Sequence, residues 1–151
     1  QCWRNIDGQW CIQPIAFIDD WNEGEYAELV TCLQNTCNTG GIVYGAFDGD
    51  ALKGFCSVEA EPLGERGEYR DLTSLHVSQD CRGRGIGRSL FALAAGWARE
   101  QKAEKLYISA HSAVETQSFY AAMGCVHAVW SSAAHVEREP CDCQLEYEVR
   151  P

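Results

Sequence analysis

Residues 72–90, LTSLHVSQDCRGRGIGRSL, constrain the fold of this chain more than any other stretch. A strand-like run reaches a loop with glycines at 83, 85 and 87. It passes directly into a helical pattern over about 85–101, with Ile86, Leu90, Leu93, Ala94 and Trp97 at helical spacing. Glycines let a backbone turn tightly and approach a ligand with no Cβ between them. The helix behind them opens with unpaired N–H groups and a partial positive charge, an anion site suited to phosphate or pyrophosphate. Arg82, Arg84 and Arg88 add cationic donors. The plain alternative is a tight strand-to-helix turn with no ligand. Two nucleotide motifs do not fit. A P-loop needs Gly-Lys-Ser/Thr, and Gly87 is followed by Arg88 and Ser89. In Gly83-Arg84-Gly85-Ile86-Gly87 the third glycine falls one residue early for a dinucleotide loop, and no βαβ repeat surrounds it.

The three arginines stand out because the chain is acidic: 12 Lys and Arg against 22 Asp and Glu give a formal charge of -10 over 151 residues. That balance argues against a broad nucleic-acid footprint. It would draw cationic small molecules, or serve solubility alone. No apolar run approaches the ~20 residues that span a bilayer, and no signal peptide is visible. The chain begins at Gln1 rather than Met, which leaves a trimmed start open. Its nine cysteines are odd in number, irregularly spaced and without a pair of CxxC motifs. They read as reduced thiols of a cytoplasmic protein, several of them buried, not as a zinc site or a disulfide framework.

Asp7-Gly8 between strand-like residues 3–6 and 9–12 is a hairpin signal. Residues 25–36 read as a helix, with Tyr26, Leu29, Val30 and Leu33 on one stripe and glycines 40 and 41 as its stop. Residues 42–47, 52–60, 69–78 and 105–110 are strand-like. Ser112-Ala113-Val114-Glu115 is a capping box, and the helix it opens runs to about Met123 before Gly124. Residues 126–130 and 144–149 read as closing strands. The order predicts an α/β (α+β) layer architecture in one domain over residues 1–151.

Arg82-Gly83-Arg84-Gly85-Ile86-Gly87 matches the Arg/Gln-x-x-Gly-x-Gly/Ala signature of the GNAT acetyltransferases. Residues 110–125, AHSAVETQSFYAAMGC, resemble that family's later motif, a helix ending in Tyr-x-x-x-Gly-Phe. The two blocks lie in the family's order and at its usual separation, and the resemblance runs from Gly41 to about Val149. It implies a mixed, mostly antiparallel central sheet, splayed at a cofactor cleft, with helices on both faces. Residues 1–40 would then hold the hairpin and an acceptor-side helix, and 41–151 the cofactor-binding sheet. The implied cosubstrate is acetyl-CoA, with no metal. The resemblance assigns the pantetheine arm to the backbone of Leu75, His76 and Val77 on a bulged strand. It assigns the pyrophosphate to the loop from Arg82 through Gly87 with Arg88, carbonyl polarisation to the Val77 N–H, and protonation of the leaving thiolate to Tyr120.

Three features depart from the family. Ala113 replaces an asparagine that often touches the cofactor, so Ser112 either substitutes for it or only caps the helix. Cys125 replaces the phenylalanine after Gly124. No clear first strand precedes the first helix, and the hairpin reads as an insertion near the acceptor side or the strand is missing.

Three residues qualify as general base: Asp71, where the histone-acetylating branch carries a glutamate, Glu59 on the neighbouring strand, and His111 at the end of the splayed strand, of the residue type that most often moves protons in catalysis. A water relay is the alternative. His76 alternates with Leu75 and Val77 and faces away from them, a structural position. Cys81 lacks a histidine partner in sequence. Trp3, Trp10 and Trp21 cluster where the family builds its acceptor site. The expected acceptor is the primary amine of a small, cationic molecule, attacked directly in a ternary complex. A protein amino group, or a non-catalytic CoA-binding module, is the alternative. No nucleic acid or membrane partner is expected, and a homodimer is left open.

Overall fold

The computed structural model describes residues 1–13 and 23–150; Trp21 lies outside them. Strands β1 (Cys2–Ile6) and β2 (Gln9–Gln13) pair antiparallel. Asp7 and Gly8 turn between them with φ of 52° and 84°, the two positive values that a type I′ turn demands. There follow α1 (Glu23–Asn38), β3 (Ile42–Asp48), β4 (Ala51–Val58), β5 (Tyr69–Val77) and α2 (Ile86–Glu100). The chain closes with β6 (Lys105–Ala110), α3 (Val114–Met123), β7 (Val126–His127), α4 (Ala133–Arg138) and β8 (Cys143–Glu148).

Strands β3 to β8 form one six-stranded sheet in the order β3-β4-β5-β6-β8-β7. Every pairing is antiparallel except β5 with β6. That parallel ladder joins Tyr69 to Lys105, Arg70 to Leu106 and Asp71 to Tyr107, and stops. Beyond it β5 stays with β4 as far as Val77, while β6 stays with β8 as far as Ala110. The sheet therefore parts into two halves at Asp71 and Tyr107.

A bulge on β5 sets which side chains face which layer. Ser57 pairs with Ser74 and Val58 with Leu72, so Thr73 is the extra residue. It reverses the alternation: Leu72 before it, and Leu75 and Val77 after it, all pack on the core side. Asp71, next to Leu72, therefore faces the opposite layer.

Helix α2 covers the core side. Leu90, Phe91, Ala94 and Ala98 are each at most 4% exposed and pack with Leu72, Leu106 and Ile108. The alanines let helix and sheet approach closely, and each large apolar side chain buried there contributes about 1.5–3 kcal/mol. Leu93, expected on this stripe, is 47% exposed, and Phe91 and Ala98 supply the packing instead. On α1, Leu29 and Leu33 are half-buried but Val30 is exposed, and the Tyr26 side chain lies outside the described residues. Helix α4 lies on the other face, where His135 packs edge-on to Tyr107 with ring centroids 5.4 Å apart.

Two local expectations are corrected. The capping box does not form: α3 starts at Val114 with Ala113 as N-cap and no side-chain cap bond. The Ala113 N–H donates to His111 Nδ1 at 3.0 Å, and the Ser112 hydroxyl instead accepts from the Arg4 guanidinium. Residues 126–130 yield only the two-residue β7, because Trp130 turns in to stack on Tyr69 and Ser132 then caps α4.

Candidate active site

Strand β5 runs into a 3-10 turn, Gln79–Cys81, whose buried Cys81 anchors the loop. Gly83 and Gly85 both have φ of 82°, and a Cβ on either would meet nothing within 4 Å. Backbone conformation, not crowding, requires glycine there. Gly87 differs: its Cβ would lie 3.0 Å from the Phe119 ring, so the start of α2 sits directly against α3. Gly85 caps α2 without a side chain, and the Ser89 N–H bonds back to its carbonyl at 3.0 Å. The amides of Ile86, Gly87 and Arg88 come before that bond, at the positive end of the helix. Arg82, Arg84 and Arg88 are exposed around them, and Arg82 Nε donates to the Val77 carbonyl at 3.2 Å. A cleft of about 180 Å³ between Gly45 and Ala46 of β3 and Arg84, Gly85 and Ile86 adjoins the loop.

The gap between β5 and β6 leads from this loop to Asp71. The Ser78 N–H bonds to Lys53 on the β4 side at 2.7 Å. Strand alternation therefore turns the peptide groups of Val77 and Leu75 toward the gap, and those of His76 toward β4. The His76 ring lies 5.8 Å from Phe55, on the side away from α2. Tyr120 is 6% exposed and packs edge-on to Phe91 and Phe119. Burial pushes its hydroxyl well above the ordinary tyrosine range, so it holds its proton at neutral pH.

On the opposite face Asp71 is 6% exposed. Its Oδ2 lies 2.6 Å from His135 Nε2, and its Oδ1 has no hydrogen-bond partner among the described residues. His135 Nδ1 lies 2.7 Å from the Ser132 hydroxyl. The Ser132 N–H donates to the Tyr107 hydroxyl at 2.9 Å, which in turn donates to Gln144. Gln144 Nε2 donates to Ser109 Oγ at 3.0 Å, and Ser109 donates to Asp142 at 3.1 Å. Burial, with Glu139 nearby, raises the Asp142 carboxyl despite that bond.

The sequence candidates separate accordingly. Glu59 follows β4, its N–H donating to the Asp71 carbonyl at 3.0 Å, while its carboxylate accepts from Thr36 and Thr73. His111 sits on the exposed turn before α3 with Nδ1 engaged. Ser112 and the neighbouring turn anchor the hairpin: the Trp3 N–H donates to the Ser112 carbonyl at 2.7 Å, and Trp10 stacks on His127. Sequence reasoning missed His135, Ser132 and Tyr107, which carry no motif and meet Asp71 only in three dimensions. A groove of about 450 Å³ lined by Val30, Leu33, Cys37 and Val43 lies at the α1–β3 edge, two strands from β5. Among the described residues no group of three metal-ligating side chains occurs, and no helix is long and apolar enough to cross a membrane.

A sheet parted between two parallel strands, with a glycine loop opening a helix at the mouth of the gap, is the frame of an acyltransferase class. The acetyltransferase (GNAT) family matches residues 7–125, and the chain belongs to that family. Solved structures share the fold. An acetyltransferase of the GNAT family from Staphylococcus aureus Mu50 is 16% identical with a TM-score of 0.68, over 86% of this chain and 81% of its own. An aminoglycoside 6'-N-acetyltransferase complexed with coenzyme A is 14% identical, TM-score 0.64, over 87% and 83%. The PaiA N-acetyltransferase from Thermoplasma acidophilum, also in complex with coenzyme A, is 17% identical, TM-score 0.60, over 82% and 70%. No curated protein matches the sequence at a significant level.

Proposed function

We propose that the chain transfers the acetyl group of acetyl-CoA to the primary amine of a small, cationic molecule by direct attack in a ternary complex. The observation that carries this reading is the parting of β5 from β6 after Asp71 and Tyr107. It leaves one edge of β5 without a strand partner, and backbone N–H and C=O groups so placed require partners. An extended amide-bearing arm such as pantetheine supplies them. The open glycine loop and the three exposed arginines suit its phosphates.

The gap also joins two faces with different chemistry. Tyr120 lies on the α2 side and gives a proton to the departing thiolate. Asp71 lies on the α4 side and takes a proton from the acceptor. The Val77 N–H, turned to the gap, polarises the thioester carbonyl as charge builds on its oxygen. The acceptor ammonium gives up two protons in all: one leaves with the thiol and one goes to solvent. The charge of -10 favours a cationic acceptor.

Gly85→Val tests the cofactor half. At φ of 82° a branched side chain costs about 1–2 kcal/mol of backbone strain and puts a Cβ where phosphate must sit. Gly85→Asn tolerates that φ and adds a side chain too, so it separates strain from blocked access. Calorimetry should find acetyl-CoA affinity lowered at least about tenfold in both. Unchanged affinity in folded variants would remove the anion-loop assignment. Thiol release from acetyl-CoA against a panel of small amines and peptides tests the acceptor half, and acetylation confined to peptides would overturn the small-amine reading.

A further inference from the structure

We propose that His135, carried on the segment between β7 and β8, is a positioning residue that makes Asp71 the proton acceptor of the acetyl-accepting side. The inference rests on the acetyltransferase reading above. It adds a residue and a role that neither the glycine loop nor the Tyr120 helix supplies.

The geometry is that of a chain with one open end. Asp71 is the last β5 residue paired with β6, so it stands where the gap begins. Its carboxylate is more than nine-tenths buried. Oδ2 is 2.6 Å from His135 Nε2, a distance that requires a proton between the two atoms. His135 Nδ1 is 2.7 Å from Ser132 Oγ, so both ring nitrogens are engaged and the ring has no site left for substrate. Tyr107 packs against the ring and bonds to the Ser132 amide, which fixes the segment over the sheet. Among the described residues, Asp71 Oδ1 is the one buried side-chain acceptor left without a hydrogen-bond partner. Buried carboxylate oxygens are almost always satisfied, so an unsatisfied one at the mouth of a gap marks where a donor arrives. The arriving donor is the acceptor's N–H, directly or through one water.

With His135 donating from Nε2 to Asp71 Oδ2, the Ser132 hydroxyl donates to Nδ1, and the bond to Oδ2 fixes how Oδ1 is aimed. In the step, the acceptor N–H bond breaks, its electron pair stays on nitrogen, and the proton forms an O–H bond at Asp71 Oδ1. Nothing is oxidised or reduced, and the proton passes to solvent when the product leaves. Charged and titratable groups around the pair are Tyr107 on β6 and Asp142 just before β8, whose carboxyl senses both His135 and His111; Glu59 adjoins Asp71 through the backbone.

The test compares His135→Leu with His135→Gln. Both keep bulk against Tyr107, but only glutamine can donate to Asp71. With any amine that the wild type acetylates, kcat should fall at least about tenfold in His135→Leu and stay within about threefold in His135→Gln, with the acetyl-CoA KM unchanged in both. Asp71→Asn should lose about a hundredfold or more. Ala134→Gly, on the exposed face of α4, controls for a weakened helix: it should lower the melting temperature and leave kcat alone. Full turnover in His135→Leu overturns the proposal, as does an equal loss in Ala134→Gly. If the leucine variant does not fold, the glutamine result decides alone, and a loss of tenfold or more there overturns it. If the wild type acetylates no amine, the acetyltransferase reading fails and this proposal with it; an active wild type with an indifferent His135 sinks only the proposal.

Discussion

Tyr120 sits where removing one oxygen separates chemistry from packing. Tyr120→Phe keeps the ring against Phe91 and Phe119 and deletes only the hydroxyl that burial keeps protonated. Turnover should fall at least about tenfold while acetyl-CoA affinity holds, since general acids are worth roughly a hundredfold or more and solvent is a poor substitute. A tyrosine that merely packs would lose ~1 kcal/mol of stability and keep its rate, so kinetics beside a thermal melt decide. The cysteines make a second residue-scale prediction. All nine are free thiols. Burial pushes Cys56 and Cys143 up to about 11 and Cys125 up to about 12, leaving almost no thiolate at pH 8. Cys32, Cys37 and Cys141 are exposed. Brief alkylation of the native protein at pH 8, read by mass spectrometry, should label these three first and spare the buried three. The fates of individual side chains were the least legible part of the sequence. Ser112 and Glu115 have the spacing of a capping box, yet Arg4, 108 residues away in sequence, takes the serine hydroxyl.

Among the elements, β8 is tied to its neighbours by one carboxylate. Glu146 accepts from Tyr69 of β5 and Lys105 of β6, each at 2.7 Å, and from the Val129 N–H beyond β7 at 3.0 Å. Burial alone would raise its pKa, but these bonds outweigh it and hold the carboxyl below its ordinary 4.5. A depressed carboxylate contributes stability that is complete above the unfolded value and is lost as pH falls through the folded one. Denaturant midpoints should therefore drop below about pH 4.5 in the wild type. Glu146→Gln should be less stable by about 1–3 kcal/mol at pH 7 and flatter with pH in that acid window. A wild-type-like acid profile in Glu146→Gln would assign the loss to other groups. Periodicity found the strands well, because apolar alternation is written in adjacent residues. It did not find α4, six residues with no buried side chain of their own, held by Ser132 at one end and by contacts of His135 with distant strands.

Across the whole molecule, the loop was legible in adjacent residues, whereas the gap was legible only through the family resemblance, which implied a sheet splayed at a cleft. Glycines 83, 85 and 87 before a helical stripe announce a tight strand-to-helix turn locally, whereas the gap exists because a ladder ends at Asp71, a fact of register between strands over thirty residues apart. The bulge at Thr73 likewise flips the alternation, so a straight reading of β5 would put Leu72 and Leu75 on opposite faces. Charge is different again, since it acts at a distance and is fully readable from composition. Excess acid of -10 lies in a chain whose arginines 82, 84 and 88 gather at the loop, which leaves the rest of the surface more negative still. If the acceptor is cationic, that field concentrates it before any contact forms. The benefit must fade as salt shortens the Debye length from about 10 Å at 0.1 M to about 3 Å at 1 M. We expect the KM for a polyamine acceptor to rise at least about threefold across that range, with the KM for a singly charged amine changing much less. The kcat should stay constant, because the proposed proton transfers involve Tyr120 and Asp71, both buried and little screened by salt. A polyamine KM indifferent to salt would mean that recognition depends on contacts within the gap and owes nothing to the charge of the surface.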